Sequence, residues 1–285
     1  MADPKLLGLL TAVLFGLIPV IVKLAFRRGG TTGVGMIIGL FVAVPANLAV
    51  LLVVRPDLAP LTPFAVAAFA LAGLAGSGVG RRWNYQAINL IGPSRMSTIW
   101  TASPVFTALL AAVLYSEAVT PLRWAGIAAI VIGSGLVTWT PGGGVRGWLT
   151  RGVVYALGAA FLFGIRPLIL KAGLLEADLP VVASTIGAIT ALLYALAMEN
   201  LGNLRITRLD TAVALFVFGG ILQMASQLAL ATGLSSGDVS LVYTLTASSP
   251  LFALGFSALL LRGVEQVTPR LVVGALFTVT GVVML

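Results

Sequence analysis

The strongest constraint on this chain is a series of long apolar runs. A helix needs about 20 apolar residues to cross a bilayer, and dividing the sequence at charged residues, prolines and glycines gives ten such runs. The runs cover residues 6–26, 32–54, 64–90, 96–115, 122–139, 152–172, 179–198, 211–234, 239–261 and 270–285. The sequence therefore predicts an all-α integral membrane protein with ten transmembrane helices.

The composition excludes most other classes of protein. Of the 285 residues, 59% are hydrophobic and 9% are charged, so the charges are too few to cover a soluble protein of this length. The mean hydropathy is +1.08. Without histidine or cysteine the chain lacks disulfides, thiolate metal sites and imidazole bases, and we predict no metal, no cofactor and no enzymatic activity. The net charge of +8 comes from scattered basic residues, so no nucleic-acid partner is predicted.

The chain contains an internal repeat. The stretch FGLIPVIVK at residues 15–23 returns as FGIRPLILK at residues 163–171, an offset of 148. The other matches are VTP at 119–121 and 267–269, Gly126 and Gly133 with Gly274 and Gly281, all at the same offset, and SPVF at 103–106 with SPLF at 249–252 at an offset of 146. We infer two copies of a five-span unit, residues 1–140 and 151–285, joined by a glycine-rich linker at 141–150.

The odd number of spans in each copy fixes how the copies are oriented. The second copy must enter the membrane from the opposite side, so the repeats are inverted. Inverted repeats that meet at a pseudo-two-fold axis in the membrane plane can rock between states open to either side, as secondary transporters do. The organisation therefore predicts a transporter with a mid-membrane cavity between the repeats.

These spans, repeats and motifs together resemble the drug/metabolite transporter superfamily and, within it, the EamA-type ten-helix transporters. The segment that matches best is TASPVFTALLAAVLYSEAVTPLRWAGIAAIVIGSGLV at residues 101–137. The chain is similar to the YddG-type amino-acid exporters of that branch. The resemblance implies a central cavity walled by spans 1 to 4 and 6 to 9, with spans 5 and 10 outside it.

The chain differs from the small multidrug members of the superfamily, which carry a membrane-embedded glutamate in the first span. That glutamate is missing here, and all nine acidic residues lie at or near predicted span ends. Exchange of a proton for a cationic drug on a buried carboxylate is therefore not supported.

Aromatic and hydroxyl side chains precede the prolines of the fourth and ninth spans. The predicted substrate-binding residues in these spans are Trp100, Thr101, Ser103, Tyr243, Thr246 and Ser248. An aromatic face combined with hydroxyls near mid-membrane suits a small amphiphilic solute. The alternative is that the hydroxyls bridge helices or bond their own backbone.

Arg166 lies inside the sixth span, where its counterpart in the first repeat is Ile18. A guanidinium facing lipid is costly, so we expect Arg166 to face the interior and bind a carboxylate or phosphate; snorkelling from a kinked helix is the alternative. Gln223 and Gln227, four residues apart in the eighth span, form an amide stripe. Tyr85 is a candidate for the cavity rim, with an aromatic belt as the alternative.

Two symmetric pairs of prolines lie within spans. A proline inside a helix removes a hydrogen bond and bends the helix, so we predict that these prolines kink or gate the helices, although prolines are also common in transmembrane helices. Lysines one turn after two of the prolines either snorkel to the interface or gate the mouths of the cavity. The predicted kink and gating residues are Pro19, Pro104, Pro167, Pro250, Lys23 and Lys171.

We therefore expect a multi-pass protein of the inner (plasma) membrane whose partners are the lipid bilayer and a small solute. The expected function is export of a small metabolite, an amino acid before others. The alternatives are a transporter of sugar-phosphates or other anionic metabolites, and a membrane-embedded lipid enzyme. An outside N-terminus puts 12 of the 17 basic residues on the cytoplasmic side, whereas many family members are described with cytoplasmic termini.

Overall fold

The computed structural model describes residues 4–103, 105–107, 109–110, 120–138, 150–198, 209–236, 245–246, 248–261 and 268–284. Within these residues we number ten helices in chain order. They are α1 (Pro4–Arg27), α2 (Thr32–Val54), α3 (Pro63–Ile91), α4 (Pro93–Trp100), α5 (Pro121–Thr138), α6 (Arg151–Glu176), α7 (Pro180–Met198), α8 (Leu209–Ser236), α9 (Ser249–Leu260) and α10 (Pro269–Val283). Apart from Thr150, the predicted linker lies outside the described residues.

Five of the described helices are long and apolar enough to cross a membrane. These are α1, α2, α3, α6 and α7, while α5, α8, α9 and α10 contain shorter apolar stretches. Large apolar side chains project outward, with Leu52 71%, Val53 84% and Leu175 76% exposed. This distribution suits lipid rather than water around the bundle. The predicted class, an all-α integral membrane protein of ten helices in two inverted repeats, is confirmed.

The repeated VTP motif starts the fifth helix of each repeat. Thr120 and Thr268 immediately precede α5 and α10, and their hydroxyl oxygens accept hydrogen bonds from the amides of Arg123 and Leu271, both at 3.4 Å. The proline after each threonine occupies the first turn, where a helix needs no N–H donor. The motif is repeated because both helices begin in the same way.

Eight helices form a closed ring in which the two repeats alternate. The order of neighbours around the ring is α1, α8, α2, α7, α3, α6, α4, α9 and back to α1. If each helix is replaced by its equivalent in the other repeat (α1 by α6, α2 by α7 and so on), the order runs in reverse but the same helices remain neighbours. A pseudo-two-fold axis requires this. Helices α5 and α10 pack against each other outside the ring, next to α4 and α9. The ring therefore consists of the helices that the resemblance assigns to the cavity wall.

Glycines at the contact of α5 with α10 reflect the inversion of the repeats. Gly126, near the start of α5, lies against Gly281, near the end of α10, and Gly133 lies against Gly274, near the start of α10. Because Gly126 corresponds to Gly274 and Gly133 to Gly281, the two contacts exchange places when the repeats are exchanged. The helices therefore run antiparallel, at a distance that only small residues allow in a membrane bundle.

Replacing Gly133 by alanine is expected to loosen the contact between α5 and α10. A Cβ at residue 133 would lie 2.5 Å from the carbonyl oxygen of Gly274 and 2.8 Å from the amide nitrogen of Thr278, so the backbones must separate, at a cost of about 1–3 kcal/mol. We expect the apparent Tm in detergent to fall by about 3–8 °C. The control is Gly135→Ala, where within the described part of the chain an added Cβ meets nothing within 4 Å; an equal fall in both variants would contradict the contact.

In the part of the chain that the structure describes, the face-A half of the ring interior is filled by side chains. We call the face with the α1–α2 connection (residues 28–31) face A, and the opposite face, with the α2–α3 connection (residues 55–62), face B. Among the described residues, one buried apolar cluster joins α1, α2, α3, α4, α6 and α8 through their face-A halves. The cluster around Phe69 in the face-B half joins α3 to its neighbours α6 and α7. The interior is therefore closed toward face A.

Candidate functional site

Trp100 lies between two equivalent residues of the repeats. Its indole contacts Phe15 of α1 at a ring-centroid distance of 5.7 Å and Phe163 of α6 at 6.1 Å, both edge to face. Phe15 and Phe163 are equivalent residues of the two repeats, so a side chain in contact with both lies near the pseudo-two-fold axis. Edge-to-face geometry is favourable for aromatic pairs, and these three rings give the interior an aromatic wall.

A tight turn ends α4 directly after Trp100. The amide of Ala102 donates to the carbonyl of Ile99 at 3.0 Å, three residues back instead of four. The equivalent turn precedes α9, where the amide of Ser248 donates to the carbonyl of Leu245 at 3.1 Å. Each turn comes just before the Ser-Pro pair of its repeat, and in α9 the proline, Pro250, then occupies the first turn, where a helix needs no N–H donor.

The motif that follows each turn lies against a glycine of the opposite repeat. A Cβ at Gly164 of α6 would lie 2.6 Å from the carbonyl oxygen of Ser103 and 2.7 Å from Cβ of Phe106. Gly16 of α1 makes the equivalent approach to the SPLF motif, residues 249–252. These glycines directly follow the two phenylalanines that contact the indole. The helices of the two repeats therefore pack most closely at the level of the aromatic wall.

Two of the hydroxyls predicted to bind substrate are used within their own turns. Thr101 and Ser248 each donate through the side-chain oxygen to a carbonyl three residues back, both at 2.6 Å. Ser103 and Thr246 are buried. Serine and threonine commonly bond the backbone in this way. Thr101 and Ser248 therefore stabilise the turns, and the role of all four hydroxyls in binding stays a prediction.

Arg166 lies in the middle of α6 and packs against α3. Its side chain passes over Gly76, where an added Cβ would lie 2.9 Å from Nε and closer still to Cδ. Gly76 belongs to a π-helical stretch of α3, Leu74–Gly80, with α-helical turns on either side. The half-buried cation thus lies at the contact of two ring helices, about one turn from Phe163.

The other predicted interior residues are spread over the ring. Gln223 is half-buried on α8. Tyr85 contacts Phe26 of α1 at a ring-centroid distance of 6.1 Å in the closed face-A half, so it does not lie at the level of Trp100. Outside the described residues are Pro104 and Tyr243 and the side chains of Gln227 and Lys171.

A polar pocket of about 290 Å³ opens at face A, beside the end of α1. Its lining residues are Gly30, Thr31, Thr32, Gly33, Arg82, Gln86 and Asn89. Lys23 donates from Nζ to the carbonyl oxygen of Asn89 at 2.6 Å, near the end of α3. Because α1 and α3 are not neighbours in the ring, this hydrogen bond crosses the face-A mouth.

The predicted kink prolines take two kinds of position. Pro19 and Pro167 lie inside α1 and α6, at equivalent places in the repeats. Pro250 instead occupies the first turn of α9, after the tight turn. Pro250 therefore marks the restart of a broken span rather than a bend within one helix, and the gating role of these prolines stays a prediction.

Some residues of the site were not expected from the sequence. Phe15 and Phe163 open the repeated nonapeptide, so their repetition was a signal for a role at the axis. Thr107 donates from its hydroxyl to the carbonyl of Gly164 at 2.7 Å, between α4 and α6. Thr107 and Gly76 gave no signal, because the second repeat has neither a hydroxyl nor a glycine at the corresponding places.

A membrane-crossing bundle of two inverted repeats around a central ring is the architecture of secondary transporters. The EamA-like transporter family matches this chain twice, over residues 5–139 and 150–285. The chain belongs to the EamA-like transporter family, and it is therefore a multi-pass membrane transporter of small molecules.

One solved structure, titled "Crystal structure of protein", is similar in fold. It is 19% identical, with a TM-score of 0.61, over 99% of this chain and 96% of that chain. A likeness at this identity concerns the fold alone. A comparison with curated proteins found no significant match.

Proposed function

We propose that this transporter exports amino acids or closely related metabolites across the inner membrane by alternating access. The observation that carries the proposal is Trp100 between the equivalent residues Phe15 and Phe163, with Arg166 about one turn further along α6. An aromatic wall packs the apolar part of a solute, and a planar guanidinium pairs with its carboxylate. Together the two groups complement a small amphiphilic acid or zwitterion.

The closed face-A half supports the alternating-access part of the proposal. The Lys23–Asn89 hydrogen bond and the contact of Phe26 with Tyr85 both cross the ring interior at face A. In the opposite state of the proposed cycle these contacts separate, and the equivalent positions of the other repeat approach each other at face B. Inverted repeats supply two such states because each half can adopt the conformation of the other.

We place face A toward the cytoplasm, which puts the N-terminus outside. Eight described basic residues lie at the face-A ends of helices, and four, Lys5, Arg55, Arg123 and Lys171, lie at or near face B. The face-A residues are Lys23, Arg27, Arg28, Arg81, Arg82, Arg95, Arg151 and Arg270. The excess follows the positive-inside rule, and a reporter fused to the N-terminus checks it: a cytoplasmic reporter signal would contradict this orientation.

A transporter of sugar-phosphates or other anionic metabolites is the second candidate. The face-A pocket favours it, because the pocket combines the Arg82 guanidinium with amide side chains at Gln86 and Asn89. Arginine and amide donors both suit phosphate oxygens. Arg166, deeper in the ring, would then contact the phosphate in place of a carboxylate.

Counterflow of radiolabelled solutes in proteoliposomes separates the two functions. The panel contains amino acids, the carboxamides of the same amino acids, and sugar-phosphates. Our proposal expects fast exchange of one or more amino acids and slower exchange of their carboxamides. Exchange of sugar-phosphates alone would favour the second candidate, and no exchange of any solute would contradict both.

Trp100→Ala is expected to raise the KM of the exchanged solute about tenfold, because the solute loses aromatic contact worth about 1–1.5 kcal/mol. Trp100→Phe keeps part of this surface and should give an intermediate KM. The control is Trp124→Ala on α5, outside the ring, where the indole is 55% exposed. A Trp100→Ala protein with an unchanged KM would place the solute elsewhere.

A further inference from the structure

We infer that Gly76 is a positioning residue. The π-helical stretch of α3 forms a seat for the Arg166 side chain, and this seat sets the preference of the site for an anionic group on the solute. The effect on preference rests on the proposed function, since it requires a solute that reaches Arg166. The seat itself concerns only how α3 and α6 pack.

Gly76 alone among the glycines of the stretch Leu74–Gly80 faces this side chain within the described structure. An added Cβ at Gly76 would lie 2.9 Å from Nε and 3.4 Å from Cγ of Arg166. A Cβ at Gly78 would meet Leu74 and Tyr194 instead. A π-helical turn adds a residue to the turn and changes which side chains share a face. Here the turn presents bare backbone to the alkyl stem of the arginine.

The glycine and the arginine are both present at the contact of α3 with α6, and both are absent from the equivalent contact of α8 with α1. In α3 and α8 the aligned pairs at an offset of 147 are Phe69 with Phe216 and Gly73 with Gly220. The same offset pairs Gly76 with Gln223, and the first and sixth spans pair Arg166 with Ile18. The contact of α3 with α6 thus has a long cation and a glycine, whereas the equivalent contact of α8 with α1 has a shorter apolar side chain and a glutamine. The arginine side chain can lie against α3 in this way only because residue 76 has no side chain, so the contact requires both residues.

The seat affects specificity because it holds the atoms that aim the guanidinium. Bidentate pairing with a carboxylate needs the planar fork in one orientation, and a binding group displaced by about 1 Å can lose most of its effect. A methyl group at residue 76 occupies the space of Cδ and Nε of Arg166. The arginine must then adopt another rotamer. Its charge stays within the helix ring, but its guanidinium no longer points toward the carboxylate of the solute.

A double-mutant cycle on thermal stability tests the seat without any substrate. In purified full-length protein, Gly76→Ala is expected to lower the apparent Tm by about 3–6 °C in the parent and by less than about 1 °C when Arg166→Ala is also present. Gly78→Ala, in the same stretch, should lower the Tm equally in both backgrounds. Equal effects of Gly76→Ala with and without the arginine would overturn the seat.

Counterflow in proteoliposomes tests the consequence for specificity. The readout is the ratio of kcat/KM for an amino acid to kcat/KM for its carboxamide. We expect Gly76→Ala to lower this ratio about tenfold and Gly78→Ala to leave it unchanged. Coupling in Tm with an unchanged ratio would overturn the effect on preference. Failure of the parent protein to exchange any solute would overturn the proposed function and this effect with it, while the Tm cycle still decides the seat.

Discussion

Replacing Arg166 by alanine is expected to lower kcat/KM for a carboxylate-bearing solute by about 100-fold. The guanidinium lies mid-helix between α6 and α3, where the dielectric is low and a charged hydrogen-bonded pair contributes about 2–5 kcal/mol when one partner is removed. The carboxamide of the same solute has no charge to lose and should change less than about threefold. Counterflow in proteoliposomes measures both values.

Two variants sharpen this prediction. Arg166→Lys keeps the charge but not the planar fork, so we expect an intermediate loss. Arg151→Ala removes an exposed arginine from the first turn of the same helix and should leave transport unchanged. All variants must elute as a single species in detergent, so that a folding defect is not read as a transport defect. Normal transport of the amino acid by Arg166→Ala would remove this residue from the site.

The spans and the inversion were predictable because both follow from the order of residues along the chain. Hydropathy gives span lengths directly, and an odd number of spans per repeat leaves only one relative orientation. The repeated glycines of the fifth and tenth spans were also visible in the sequence. Their partners were not: the match of Gly126 with Gly274 does not tell that Gly126 contacts Gly281.

The aromatic wall could be predicted only in part. Trp100 was selected because it precedes a Ser-Pro pair, but its contacts with Phe15 and Phe163 depend on the order of helices around the ring. A phenylalanine in an apolar span can face either lipid or the protein interior. The repetition of Phe15 and Phe163 therefore indicated that they are equivalent, but it did not reveal which residue they contact.

Hydroxyls and backbone irregularities were the hardest to predict from residue type. Thr101 and Ser248 have the chemistry of ligand groups, yet the same oxygens complete the hydrogen bonding of tight turns. A glycine-rich stretch such as the one around Gly76 is typical of close packing against other helices. Its π-helical form and its contacts with Arg166 of α6 and Tyr194 of α7 could not be read from the residue types.

Joining Phe26 to Tyr85 covalently is expected to abolish transport completely. The two aromatic side chains, whose centroids are 6.1 Å apart, meet across the interior of the helix ring at face A. The proposed cycle requires that they separate. The chain contains no cysteine, so the double variant Phe26→Cys, Tyr85→Cys carries the only thiols. We expect a short bifunctional methanethiosulfonate reagent to reduce counterflow to the level of protein-free liposomes, and a reductant to restore the rate measured before treatment.

The matched control joins two ring neighbours at the same face. Trp83 of α3 and Tyr155 of α6 have ring centroids 6.2 Å apart, so the same reagent spans them in the double cysteine variant. Because α3 and α6 are adjacent in the ring, their contact does not have to break when opposite walls move apart, and more than half of the rate should remain. Equal inhibition of both pairs would mean that the ring moves as a whole and that face A does not open between α1 and α3. Full transport through a cross-linked Phe26→Cys, Tyr85→Cys protein would exclude a solute path through this mouth, since one covalent bond is far stronger than any rearrangement that solute binding could drive.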